Sequence, residues 1–261
     1  MSLKGKTALV TGSTQGLGLA FARALAAEGC NVTINGLGDA KAIEDIRAKM
    51  ASEHDVKVHY SPANMAKPEE IEQMLGETVK QFGDIDILVN NAVTRHIAPI
   101  EEFPVERWNY ALAVNLSSVF HTVRLSLPAM RRKNWGRIIN LSSVFGTRGL
   151  PDKIDYATTK HALIGFTRSI ALETATTGIT VNAICPGWVL TPHSENQIAV
   201  QMKAAGCTRE EAIAELASIR QPTRRIILAE KVAALAVFLC SDAASEITGA
   251  SMSVDGGWSI E

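Results

Sequence analysis

A chain of 261 residues that is 46% hydrophobic and 20% charged holds enough apolar material for one large core, and it has no apolar run near the ~18 residues of a membrane span. Its formal net charge of -1 removes the electrostatic case for nucleic acid or an anionic membrane as partner. Cys30, Cys185, Cys207 and Cys240 are widely spaced and form no C-x-x-C pair, so they read as reduced thiols of a cytoplasmic protein with neither a disulfide framework nor a metal site.

The first apolar run, residues 7–10, is too short for a signal-peptide core and reads as a buried strand. In chain order, short β-branched or aliphatic runs predict strands at 7–11, 31–35, 56–61, 85–90, 137–141, 180–184 and 251–254. Between them, helix-period segments fall at 17–28, 40–52, 68–82, 105–133, 155–177 and 229–241. Apolar runs that do not alternate point to strands buried on both faces, as in a parallel sheet. Strict strand–helix alternation without repeat or linker points to one doubly wound, Rossmann-type α/β domain spanning 1–261. The polar, helix-prone excursion at 193–225 follows a strand, where ligands bind in such sheets, and reads as a mobile lid over a substrate.

After the first strand comes Thr11-Gly12-Ser13-Thr14-Gln15-Gly16-Leu17-Gly18, leading into a helix. Glycines clear side chains where backbone must approach a pyrophosphate, and the helix N-terminus offers free N–H groups with a partial positive charge. The second strand ends in Gly36-Leu37-Gly38-Asp39, with no cation to receive a 2′-phosphate, and Gln15 is uncharged as well. These residues favour NAD over NADP, and Asp39 is placed to cap the next helix. Asn90 and Asn91, at a strand's carboxyl end, can bridge neighbouring strands through their amides.

Tyr156 and Lys160 stand at i, i+4 near a helix start and so share a face. A free tyrosine has a pKa near 10, and a nearby ammonium would stabilise its phenolate for acid/base work. Ser143, at the end of the strand 137–141, faces the same crevice as the glycine loop and can hydrogen-bond a carbonyl oxygen that receives a hydride. Asn115 lies inside a predicted helix that it does nothing to favour; it is either a satisfied core amide or a holder of water in a proton path.

Across essentially its whole length the chain resembles the short-chain dehydrogenase/reductases. The shared motifs are the glycine loop, Asn90-Asn91-Ala92, Asn115, Ser143, Tyr156, Lys160, Pro186-Gly187 and Asp255-Gly256-Gly257-Trp258. The resemblance implies a seven-stranded parallel sheet of order 3-2-1-4-5-6-7. It implies Tyr156 as general acid/base, Ser143 as oxyanion partner, Lys160 on the nicotinamide ribose and Asn115 as anchor of a relay water. It implies cofactor contacts at Gly12, Thr14, Gln15, Gly16, Leu17, Gly18, Asn64, Met65, Asn91, Pro186, Gly187 and Val189, and a homotetramer. Val93 stands where the family usually has glycine, and Asn64 where it usually has an acid.

Within that family, Asn35-Gly36-Leu37-Gly38-Asp39, the segment 134–140 and the segment 182–192 are most similar to the bacterial D-3-hydroxybutyrate dehydrogenases. There a small carboxylate is held by glutamine, histidine and lysine, and Lys153, Trp188 and Gln197 fall at matching positions. Arg95 replaces a glutamine and Phe145 a histidine. Phe145 cannot donate a hydrogen bond, and Arg95 can supply a bidentate grip or accept a second acidic group. The expected reaction interconverts a 3-hydroxy acid, other than plain 3-hydroxybutyrate, with its 3-oxo acid. The competing readings are an NADPH-dependent 3-oxoacyl-thioester reductase and a cofactor-binding regulator without activity.

Overall fold

The computed structural model describes residues 3–261. Its seven strands are β1 (Thr7–Val10), β2 (Asn31–Asn35), β3 (Val58–Ser61), β4 (Ile87–Asn90), β5 (Gly136–Leu141), β6 (Ile179–Pro186) and β7 (Ser251–Val254). They pair parallel throughout in the order β3-β2-β1-β4-β5-β6-β7, the order the family resemblance implies. Strands β1, β4, β5 and β6 are buried along their whole length, because helices cover both faces of the sheet.

One face carries α1 (Gly16–Ala27), α2 (Ala40–His54) and α9 (Ala229–Cys240), whose Phe21, Leu25, Ile43, Met50, Val232 and Leu239 join a single apolar cluster with the strands. The other carries α3 (Pro68–Phe82), α5 (Ser118–Lys133) and α6 (Ile154–Glu173), through Ile71, Met74, Val123, Met130 and Leu163. Strand order reverses between β1 and β4, which opens a crevice at their carboxyl ends. Asp39 caps α2 as expected, its carboxylate accepting the Ala42 N–H at 2.8 Å.

Two helix predictions need correction. The segment 105–133 is not one regular helix: α4 (Val105–Leu112) passes into α5 through a π-helical turn, Ala113–Ser117, where the Ser118 N–H reaches back five residues to the Ala113 carbonyl. The amide of Asn115 explains the irregularity, because it bonds the backbone of the β4–α4 loop rather than solvent. The helix predicted to run to 177 ends at Glu173. Hydroxyls of Thr174 and Thr177 there take the carbonyls of Ile170 and Thr174, the usual competition of short polar side chains with the helical ladder.

The excursion after β6 folds as α7 (Pro192–Ala205) and α8 (Arg209–Ser218), each opened by a capping box, at Thr191/Ser194 and Thr208/Glu211. It has a small core of its own: Trp188, Ile198, Ala212, Leu216 and Ala217. A parallel bridge between Val189 and Ile227 closes its base, so the excursion leaves and returns at one place beside the crevice.

Candidate active site

The crevice holds a cavity of about 400 Å³ whose floor is the glycine loop. Gly12 (φ +61°) and Gly16 (φ +56°) adopt backbone conformations that disfavour side chains, and a Cβ at Gly12 would come within 2.8 Å of the Ala92 Cα. A Cβ at Gly18 would overlap the Gly12 carbonyl oxygen, so this position closes the loop onto α1. No side chain caps the N-terminus of α1, which leaves its first-turn N–H groups free for an anion such as a pyrophosphate. Thr14, Gln15, Leu17, Asn91, Pro186, Gly187 and Val189, all named above as cofactor candidates, line the same cavity.

The two asparagines do bridge strands. Asn91 donates to the carbonyls of Thr11 (3.0 Å) and Gly12 (2.8 Å), tying the β1 loop to the end of β4. Asn90 donates to Asn140 at 2.9 Å within a buried chain, Thr122–Asn90–Asn140–Thr167, that links α5, β4, β5 and α6. Asn35 was not singled out in the sequence. It accepts the Gly12 N–H at 3.2 Å and donates to Ser61 and Ala63, so it sets the height of the glycine loop. Its partners lie 22 or more residues away, and no local pattern could have marked it.

Not every predicted cofactor residue faces this cavity. Met65 is in the core, and the Asn64 side chain accepts the Ala66 N–H at 2.9 Å in the turn leading to α3; neither is among the lining residues. At the cavity's far end stand Gly36 and Leu37, the latter 64% exposed, and no lysine or arginine lines that end.

At the opposite end Ser143, Tyr156 and Lys160 meet. Ser143 precedes a single 3-10 turn, Val144–Gly146, and its Oγ accepts the Phe145 N–H at 3.2 Å. With that lone pair engaged, the O–H remains to donate into the cavity. The Lys160 Nζ donates to the Leu141 carbonyl and lies 5.6 Å from the centre of the Tyr156 ring. Lys160 is only 3% exposed; burial, reinforced by the charge of Arg95, pushes its pKa down to about 7. Asn115 does not reach the cavity. It sits 1% exposed behind Thr94, accepting that residue's N–H (2.8 Å) and donating to its carbonyl (2.9 Å) and to Thr159.

Beyond Tyr156 a second cavity, about 330 Å³, opens beneath the excursion. All five predicted substrate residues, Arg95, Phe145, Lys153, Trp188 and Gln197, line it. Arg95 faces inward, its guanidinium 5.4 Å from the Tyr156 ring centre, and it lines both cavities. Gln197 accepts the Trp188 indole N–H at 2.9 Å, which leaves its amide nitrogen to donate. The Phe145 ring meets Trp258 edge-on at 5.2 Å, so the C-terminal segment forms part of the wall. His193 and Arg220 were missed in the sequence, because nothing in the local pattern shows which residues of a helical excursion turn toward the sheet; Trp258 was noted only as part of the C-terminal motif and not as a wall of this cavity.

Residues 12–259 match the family described as enoyl-(acyl carrier protein) reductase. The chain is 49% identical to D-beta-hydroxybutyrate dehydrogenase of Cupriavidus necator over 256 residues, covering 98% of both chains. It is 47% identical to the enzyme of the same name from Rhizobium meliloti, covering 98% of this chain and 99% of that one. Among solved structures it superposes on L-sorbose reductase from Gluconobacter frateurii, complexed with NADPH and L-sorbose, with a TM-score of 0.94, 30% identity and full coverage of both.

Proposed function

Because the chain belongs to the short-chain dehydrogenase/reductase family of oxidoreductases, we propose that it interconverts a 3-hydroxy carboxylic acid and its 3-oxo acid with NAD, using Tyr156 as general acid/base. The observation that carries this reading is the position of Ser143 and Tyr156 on the wall shared by a glycine-floored cavity and a cationic one.

The residues present fit a nicotinamide dinucleotide, since an uncapped helix N-terminus and glycine backbone form an anion cradle at one end and Lys160 stands at the other. When bound, that cofactor supplies or accepts the hydride. In the reducing direction the Tyr156 hydroxyl gives its proton to the substrate oxygen, and in the oxidising direction its phenolate takes one. Ser143 donates to the same oxygen as charge develops on it. Lys160, in its protonated form, stabilises the phenolate and holds the nicotinamide ribose. A relay water anchored at Asn115 replenishes the proton; the wide turn that interrupts regular helical pairing there supports this role. The exposed, uncharged Leu37 supports NAD over NADP.

In the second cavity Lys153 and the Gln197 amide hold the substrate carboxylate, a charge-assisted pairing, and Phe145 with Trp258 supplies the apolar wall. The segment 193–225 acts as a lid within a single domain. Among the described residues no helix is long and apolar enough to cross a membrane, and the four cysteines are unpaired, which supports a cytoplasmic enzyme. Val105, Phe120, Leu172 and Ile260 are exposed on the long helices and the C-terminal segment, which supports a homotetramer, testable by sedimentation equilibrium.

The test is a steady-state panel of 3-hydroxy acids and their oxo acids with NAD and NADP in parallel, on wild type and Tyr156→Phe. Turnover of 3-hydroxy acids with NAD, reduced about 10²–10⁴-fold in Tyr156→Phe while NADH binding persists, is expected. A clear preference for NADPH, or a better substrate without a carboxylate, would sink the reading.

A further inference from the structure

The second cavity carries more positive charge than one carboxylate needs. Arg95, Lys153 and Arg220 all line it, beside a His193 whose pKa is held down by burial and the charges of Arg95 and Lys153, and neither cavity is lined by any aspartate or glutamate. Arg95 rests on the Tyr156 ring and Arg220 on the Trp188 ring, 5.2 Å from its centre. Neither arginine nor Lys153 has a carboxylate partner among the described residues. Asp155 is the acid that acts on Lys153, but its two oxygens already accept the N–H groups of His96 (3.0 Å) and Tyr156 (2.6 Å). Burial and the charges of Arg95 and Arg220 push the Lys153 pKa down, as happens when cations face one another without an anion between them.

Arg95 is also held in place, unlike an arginine on a free loop. The residue before it, Thr94, is clamped at both N–H and C=O by Asn115, and the residue after it, His96, is held by Asp155. Both clamping side chains are 1% exposed. Two buried polar groups thus position the backbone on either side of one cavity-facing guanidinium.

We propose that the substrate is dianionic: a short 3-hydroxy acid bearing a second carboxylate, with Lys153 and Gln197 on the carboxylate next to the reacting centre and Arg95, assisted by Arg220, on the other. This rests on the 3-hydroxy-acid reading above. The planar guanidinium suits a carboxylate bidentately, and its seat against Tyr156 puts the second charge within reach of the reacting carbon. A cavity at the small end of ordinary ligand sites suits such a compact diacid.

The experiment compares kcat/KM with NAD for 3-hydroxybutyrate, 3-hydroxyglutarate and the monomethyl ester of 3-hydroxyglutarate, on wild type and Arg95→Gln. The ester keeps the carbon skeleton of the diacid, adds one methyl group and removes one charge. The diacid is expected to exceed both monoanions about 100-fold, the scale of one charge-assisted bidentate contact. In Arg95→Gln that ratio should fall at least tenfold. Calorimetric titration of the NAD-saturated protein with glutarate and with butyrate should show the same preference without turnover. Equal use of diacid and ester, or an unchanged ratio in Arg95→Gln, overturns the second-anion assignment while leaving the 3-hydroxy-acid reading intact. No turnover of any of the three overturns both.

Discussion

Lys160, to which we assign a role in catalysis, also bears on folding stability in a way that a pH series can read. Its pKa stands near 7 in the folded protein against an ordinary 10.5, chiefly because burial disfavours the ammonium. At pH 7 the unfolded chain holds this proton fully and the folded chain about half of the time; at pH 9 the unfolded chain still holds it and the folded chain does not. The unfolded state therefore binds more protons across this window, so stability rises with pH, at a limiting slope of about 1.4 kcal/mol per pH unit. Integrated from pH 7 to 9, the gain from this one residue is about 2 kcal/mol. Below pH 7 both states become protonated and the contribution flattens into a constant penalty. Above pH 9 the trend reverses, because buried Cys30 and Cys240, pushed up to about 12, keep protons that the unfolded chain releases. Urea unfolding of cofactor-free wild type and Lys160→Met at pH 7, 8 and 9, at one protomer concentration, isolates the term, since the other groups cancel in the difference. Wild type should gain about 2 kcal/mol on the variant over that interval. Parallel stability profiles would show that Lys160 keeps its proton in the folded protein and would falsify the argument.

Three further outcomes follow from contacts in the site. Ser143→Ala removes the proposed donor to the reacting oxygen and should lower kcat about 10²–10³-fold in steady-state assays, with NADH affinity retained. Asn115→Ala leaves the part-buried Thr94 N–H and C=O without these partners; chemical denaturation should show a loss of about 1–3 kcal/mol in total, with KM rising as Arg95 loses its support. Leu37→Arg places a guanidinium at the end of the cavity to which we assign the adenosine ribose, and the NADPH/NADH ratio of kcat/KM should rise about tenfold or more.

Much of this was legible in the chain because it depends on local pattern. Apolar runs of four to eight residues separated by helix-period segments dictate parallel strands covered on both faces, and the doubly wound sheet follows from that alternation. The glycine loop, Ser143 and the Tyr156–Lys160 pair could be placed at one end of the sheet because parallel strands deliver all their carboxyl ends to the same side. The irregular turn at Asn115 was not legible, since residues 105–133 keep helical spacing and the interruption comes from bonds to a loop 21 residues away. Asn35 was equally silent, its hydrogen bonds reaching Gly12 and Ala63.

By itself, then, the sequence determined the fold class and the family, and it marked the glycine loop and Tyr156 as the candidate nucleotide and chemical ends, because each is encoded by residues close in the chain and by a period that needs no tertiary knowledge. Only the folded structure decided the character of the second cavity. Arg95, Lys153, Arg220 and His193 come from four separate segments, and Asn115 and Asp155 hold the first of them in place. Positive charge accumulates there because strands and helices distant in sequence end at one crevice, and no single segment contains that gathering.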